Sequence, residues 1–220
     1  MFGIEVFEEE IKNQSGWILM IHPDFIWNTS LAKNIKKYKY FDYSVNEALF
    51  LSDKEETTIN GIIENINREY HSNIDNFSQD IIISQIETLL NYAERFYQRQ
   101  FITRKISNHH ILERLEKLLS DYFNSDDLAT QGLPTVQYIS KNLNISPTYL
   151  LSLLKTLTGR TTQQHIHDKL MDKAKEKLTT TNLSVSEIAY ELGFKHLQSF
   201  SKLFKTKTKL SPFEFRQSFY

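Results

Sequence analysis

The chain contains no cysteine. Disulfide frameworks, thiol nucleophiles and zinc-finger sites are therefore excluded, and the absence fits a reducing cytoplasm. No apolar run approaches the roughly 20 residues that a membrane-spanning helix requires. The first residues are acidic (Glu5, Glu8, Glu9, Glu10) and lack the basic, apolar and small-residue order of a secretion signal. A soluble, cytoplasmic protein is expected. Also missing are GxSxG, HExxH and any phosphate-cradling glycine loop. His165 and His167 stand two apart on an expected helix and point away from each other, which makes a poor metal pair. His109 and His110 lie in a polar stretch and suit solvent better than a ligand. The sequence nominates no catalytic, cofactor-binding or metal-ligating residue, and no enzyme is expected.

Net charge is also nearly absent, at −1 over 220 residues, but it is unevenly spread. Residues 131–220 hold 13 Lys/Arg against 6 Asp/Glu, which leaves 13 against 21 for residues 1–130. A basic C-terminal part behind an acidic N-terminal part suits a nucleic-acid module joined to something that is not one. The length allows one large or two small domains with real cores.

The most informative stretch is residues 184–216. Ser184 with Glu187 three residues later forms a capping-box pattern, which satisfies two orphan backbone donors at a helix start. Val185, Ile188, Ala189 and Leu192 follow at helical spacing, and Gly193 supplies a stop. A second helical run places Phe200, Leu203 and Phe204 inward and Gln198, Ser199, Ser201, Lys202 and Lys205 outward. Two short helices across a tight turn, the second polar and basic outside, describe a helix-turn-helix.

The pattern occurs twice. Val136, Ile139 and Leu143 match Val185, Ile188 and Leu192 at an offset of 49, and Leu150, Leu153, Leu154 and Lys155 match Phe200, Leu203, Phe204 and Lys205 at an offset of 50. The extra residue falls in the turn, where insertion is cheapest. Ser146 and Pro147 open the second helix of the earlier copy as N-cap and first helical residue. Between the copies, residues 163–178 form a long connecting helix with Ile166, Leu170, Ala174 and Leu178 as one stripe. Lys169, Lys173 and Lys177 recur on another face. Either they make a phosphate-facing rail, or they are a solvated face offset by Asp168, Asp172 and Glu176, and the second is favoured.

Two such units on one helix, closing with Ser211-Pro212 and Arg216, resemble the DNA-binding domain of the AraC/XylS family of bacterial transcription regulators. Ile188, Ala189, Leu192, Gly193, Phe194, Phe200, Ser201, Phe204, Lys205, Ser211, Pro212 and Arg216 carry the resemblance, which covers roughly residues 133–216. One departure is Lys209, where the family usually has the glycine that the first copy keeps at Gly159. A positive φ there would cost the lysine up to about 1 kcal/mol.

The resemblance implies a mainly α fold: an all-α domain at residues 111–220 with two helix-turn-helix units joined by a long helix, after a linker at 104–110. It also implies that residues 1–103 are a shortened sensor and dimerisation domain, the remnant of a cupin-like β-barrel with few strands followed by a helical hairpin. The residues agree in part. Residues 17–21 read as a strand stopped by His22-Pro23-Asp24, and Phe2, Ile4 and Val6 suggest another. Helical periods follow over residues 55–71 and 76–100, then over 111–123, with a loop at 124–132. In the family, helices placed like 76–100 form a dimer contact. Here Ile82, Ile86, Leu89, Ala93 and Phe96 would supply it, unless an intramolecular hairpin hides them.

For DNA, matching the family residue by residue nominates Leu197, Gln198, Ser201 and Lys202 as base readers in the second copy and Thr148, Tyr149, Leu151 and Ser152 in the first. Gln198 can pair bidentately with adenine, Lys202 can donate to guanine, and Leu197 can touch a thymine methyl. The first copy reads as the weaker, because Leu151 is apolar. Expected phosphate contacts are Lys155, Thr156, Lys205, Thr206 and Lys207, with helix starts at Thr135 and Ser184. The implied partners are operator DNA, RNA polymerase and a second copy of the chain. A competing expectation is a shortened member that dimerises with a full-length relative and inhibits it.

Overall fold

Helix-starting residues are frequent along this chain, and the architecture follows them. The computed structural model describes residues 16–72, 75, 77–125 and 127–219. The chain divides into two compact units, Met1–Phe41 with Ala48–Gln100, and Asp42–Glu47 with Phe101–Tyr220.

In the first unit, α1 (Pro23–Ile26) and α2 (Ser30–Asn34) are short helices opened by the side chains of His22 and Thr29. The two long helices are α3 (Asp53–Tyr70) and α4 (Ser78–Thr103), α4 running on past the unit's last residue. Ser52 and Glu55 form a capping box at the start of α3. Arg99 pairs with the same Glu55 at 2.8 Å. Leu31, Tyr38, Ile62, Ile66, Ile82, Ile83 and Ile86 form the unit's core. Two expectations change here. Residues 17–21 adopt no strand, and no strand occurs among the described residues, because nothing pairs with the run and Trp17, Ile18 and Met20 stay exposed. The suggested strand at Phe2, Ile4 and Val6 lies outside the described residues. The apolar stripe of α4 is turned inward: Ile82, Ile86 and Phe96 are buried within the chain, while Leu89 and Ala93 are half-buried. The structure thus takes the intramolecular alternative for the first three.

In the second unit, α5 (Lys105–Asn124) and α6 (Asp127–Gln131) precede the first helix pair. The expected linker at 104–110 is helical from Lys105 on. Its polar residues interrupt the apolar stripe without ending the helix: His109 and His110 are exposed, and Asn108 is buried with its side-chain amide donating to the carbonyl of Phe101. The expected loop at 124–132 contains α6, held by Leu128, which is buried in the core. Next come α7 (Val136–Leu143) and α8 (Pro147–Thr158), the connecting helix α9 (Thr162–Thr180), then α10 (Val185–Glu191), α11 (Leu197–Thr208) and α12 (Pro212–Gln217). Ile166, Leu170, Ala174 and Leu178 of α9 are fully buried, as are Ile139, Leu150 and Leu154 of the first pair and Ile188, Phe200 and Phe204 of the second. One core therefore joins both pairs through α9.

Two arginines close helix ends, where unsatisfied carbonyls attract cations. Arg114 of α5 donates to the carbonyls of Asn142 and Leu143 at the end of α7. Arg216 of α12 donates through Nε to the carbonyl of Leu178, 3.0 Å away in the last turn of α9. This gives the Ser-Pro-x-x-x-Arg segment its physical role: Ser211 caps α12, Pro212 opens it, and Arg216 moors it to the connecting helix.

Candidate nucleic-acid interface

The two turns are built alike. In the first, Asn144 takes φ 58°, its amide donates to Lys141, and the amide of Ile145 donates to Ser140. In the second, Gly193 takes φ 78°, its amide donates to Tyr190, and the amide of Phe194 donates to Ala189. The four partners correspond at the offset of 49 seen in the sequence. The residue types differ because their surroundings differ. A Cβ on Gly193 would lie 2.6 Å from the carbonyl oxygen of Leu128 and 2.8 Å from Cα of Gly132, so only glycine fits. Asparagine tolerates the left-handed conformation and suffices at the first turn.

The second helix of the later pair, α11, brings Leu197, Gln198, Ser201 and Lys202 onto its first two turns. Gln198 and Lys202 are exposed, whereas Leu197 and Ser201 are half-buried and Leu197 packs against the core. Lys205, Thr206 and Lys207 follow on the next turn, all exposed. Lys207 is engaged by Asp168 of α9 at 3.2 Å, and the same carboxylate holds Arg160 at 2.9 Å. Thr206 turns its hydroxyl back to the carbonyl of Lys202.

The second helix of the earlier pair, α8, departs from expectation at Tyr149. That side chain is 8 % exposed, with its ring edge-on to both Phe101 and Tyr43. Tyr149 is therefore a packing residue and not a base reader, because its position lies about 100° around the helix from Thr148. Thr148, Leu151 and Ser152 are half-exposed, Lys155 is exposed and Thr156 is half-buried.

At the helix starts the nominated hydroxyls are already used. Thr135 accepts from the amide of Tyr138. Ser184 accepts from the amide of Glu187, and the Glu187 carboxylate in turn accepts from the Ser184 amide at 2.7 Å. These hydrogen bonds from Ser184 hold the Glu187 carboxyl below its ordinary range.

Along α9, Lys173 pairs with Glu176, as the plainer expectation has it, and Lys177 pairs instead with Glu191 of α10 at 2.6 Å. His165 bonds Thr158 and His167 bonds Gln163, so both rings have protein partners on or beside α9. Sequence reasoning missed Asp168, Arg114, and the short segment Asp42–Glu47 described below. Asp168 was legible only as one acid among three.

Helix pairs of this geometry, repeated on one rod with a polar second helix, define a helix-turn-helix protein. Residues 139–218 match the family described as "Helix-turn-helix domain". This part of the chain is an AraC-type helix-turn-helix domain. The chain is 36% identical over 84 residues to the raffinose operon transcriptional regulatory protein RafR of Pediococcus pentosaceus, a match that covers 38% of this chain and 30% of that protein. It is 26% identical over 178 residues to the lactose operon transcription activator of Staphylococcus xylosus, covering 80% of this chain and 61% of that one. Among solved structures, the C-terminal domain of AraT, a response regulator from Geobacillus stearothermophilus, aligns at 29% identity and a TM-score of 0.43, covering 49% of this chain and 84% of that one. The chain thus spans about a third to under two thirds of the length of these two regulators. No helix among the described residues is long and apolar enough to cross a membrane.

Proposed function

We propose that this chain is a sequence-specific DNA-binding transcription regulator that reads the major groove with α8 and α11, and that α11 is the principal reader. The observation that carries this reading is the pair of exposed, hydrogen-bonding side chains Gln198 and Lys202 on the leading turns of α11, in a domain of AraC type. A recognition helix enters the groove with its N-terminal residues foremost, and those two side chains match the edges of adenine and guanine. On α8, Thr148 and Ser152 remain as polar readers beside an apolar Leu151. Lys155 and Lys205 contact phosphates, and Lys207 joins them when it leaves Asp168. Residues 1–103 are assigned to sensing or dimerisation by resemblance alone, as is RNA polymerase as a partner. The cupin-like remnant has no strand to support it among the described residues.

The test is selection of duplexes from a random pool by the purified chain at physiological salt, followed by two variants. Lys202→Ala relaxes preference at one base position by roughly 1–3 kcal/mol. Lys205→Ala weakens all sequences alike and lowers the salt slope by about 1. If both variants act identically on every duplex, the assignment of roles fails. If the chain enriches no sequence and binds only at non-specific strength, the reading as a regulator of its own operator gives way to that of a dimerising inhibitor.

A further inference from the structure

The segment Asp42–Glu47 belongs to the second unit although the chain on both sides of it, at Phe41 and Ala48, belongs to the first. It sits against the start of α8. Glu47 is 4 % exposed, a rare position for a carboxylate without a pairing cation, and its partners are all hydrogen-bond donors. One oxygen accepts from the amide of Ser146. The other accepts from the Ser146 hydroxyl at 2.6 Å and from the amide of Ser44 at 2.7 Å. The Ser146 hydroxyl accepts in turn from the amide of Tyr149, so the carboxylate and the N-cap form one chain of bonds into the first turn of α8. Asn46 donates to the carbonyl of Asn144 in the turn, and the Tyr43 ring meets Tyr149 edge-on at 5.2 Å.

A segment at the leading end of a reading helix is either a lid or a support. Position decides between them. Successive residues are set about 100° apart around a helix, so Thr148, Leu151 and Ser152 share one face while Ser146 and Tyr149 lie on its flank. Glu47 and Tyr43 hold the flank, and the three candidate readers stay half-exposed. The support reading therefore wins.

We propose that Asp42–Glu47 is an integral brace of the first helix-turn-helix, and that Glu47 is a positioning residue that fixes the start and pitch of α8 for base reading. The brace makes the first reader dependent on chain from upstream: without it, the Ser146 amide and hydroxyl lose buried partners and the first turn of α8 loosens. This rests on the DNA-reading role assigned to α8 above, but its physical part is independent of DNA.

Two measurements separate the parts. Amide hydrogen exchange on the free chain reads the brace. Glu47→Ala is expected to speed exchange at Ser146 and Tyr149 by about tenfold or more, equivalent to about 1.4 kcal/mol of local opening, with α11 unchanged. Glu47→Gln, which keeps the shape and one acceptor, falls between, and serves if the alanine variant fails to fold. Binding to a duplex selected by the wild-type chain reads the function. Glu47→Ala is expected to lose about tenfold, down to the level of a duplex whose α8 box is scrambled, and to lose nothing further on that scrambled duplex. Unchanged exchange at Ser146 and Tyr149 in both variants overturns the brace. Tighter binding by Glu47→Ala overturns support in favour of a lid. Failure of the wild-type chain to select any duplex overturns the DNA reading instead, while the exchange result still decides the brace.

Discussion

At Lys209 the backbone takes φ 69°, just as Gly159 takes φ 71° at the end of the corresponding helix. A lysine there carries the steric cost of the left-handed conformation, and no compensating contact is evident beyond a 3.4 Å bond from its ammonium to Thr206. Lys209→Gly should therefore stabilise the domain by about 1 kcal/mol and raise its melting temperature by about 3 °C, read by circular dichroism. A second residue-scale effect concerns pH. Burial, then the nearby Arg160, hold His165 below its ordinary 6.5, and burial with Lys207 does the same for His167. A histidine with a depressed folded pKa binds its proton more weakly in the folded state, so its contribution is present above about 6.5 and lost as pH falls below that. The melting temperature should drop between about pH 7 and pH 5, and His165→Gln should flatten part of that slope.

Among the elements, the inward stripes were the legible part. Val136 to Leu143, Ile166 to Leu178 and Val185 to Leu192 repeat at three and four, and packing on one core leaves a period of that kind little freedom. Thr135, Ser146, Thr161, Ser184 and Ser211 cap α7, α8, α9, α10 and α12, and of these Thr135, Ser146 and Ser184 were legible as helix starts; α11 begins after His196, whose side chain makes no capping bond. Three elements were hidden for physical reasons. The helix α6 has five residues, too few for a period to show. The first turns of α5 carry Asn108, buried and bonded to the carbonyl of Phe101, where an apolar residue would have shown a period. Glu47 reaches Ser146 across 99 residues, and local patterning carries no information about such a partner. The interface was read in the same uneven way: Gln198 and Lys202 emerge where placed, whereas Tyr149 turns inward because Phe101 and Tyr43, distant in sequence, cover it. The helix α4 makes the corresponding point for the first unit. Ile86 is 1 % exposed beside Ile62 and Ile66. Ile86→Asp should therefore unfold that unit, with loss of helical signal at an earlier temperature, by about 3 kcal/mol or more. A variant that keeps its full melting profile and only changes mass in sedimentation would restore the residue to a dimer surface.

On the scale of the whole molecule, charge is uneven because of the acids: 13 Lys/Arg stand in residues 131–220 and 13 in residues 1–130, whereas 21 of the 27 Asp/Glu lie in residues 1–130. Both helix pairs are set on one 19-residue rod, about 28 Å long, whose inward side chains are shared by both. Such a ruler cannot stretch. DNA repeats its facing every 34–36 Å, about 10.5 base pairs, so inserting five base pairs between the two boxes should turn one of them to the far side and abolish joint binding. Inserting a whole turn restores the facing but not the distance, and binding should stay at the level of a single box in a gel-shift series. A regulator built on a loose tether would recover at the full turn. This one should tolerate one separation only, so its cognate promoters can be sought by their fixed interval before a single base of either box is known.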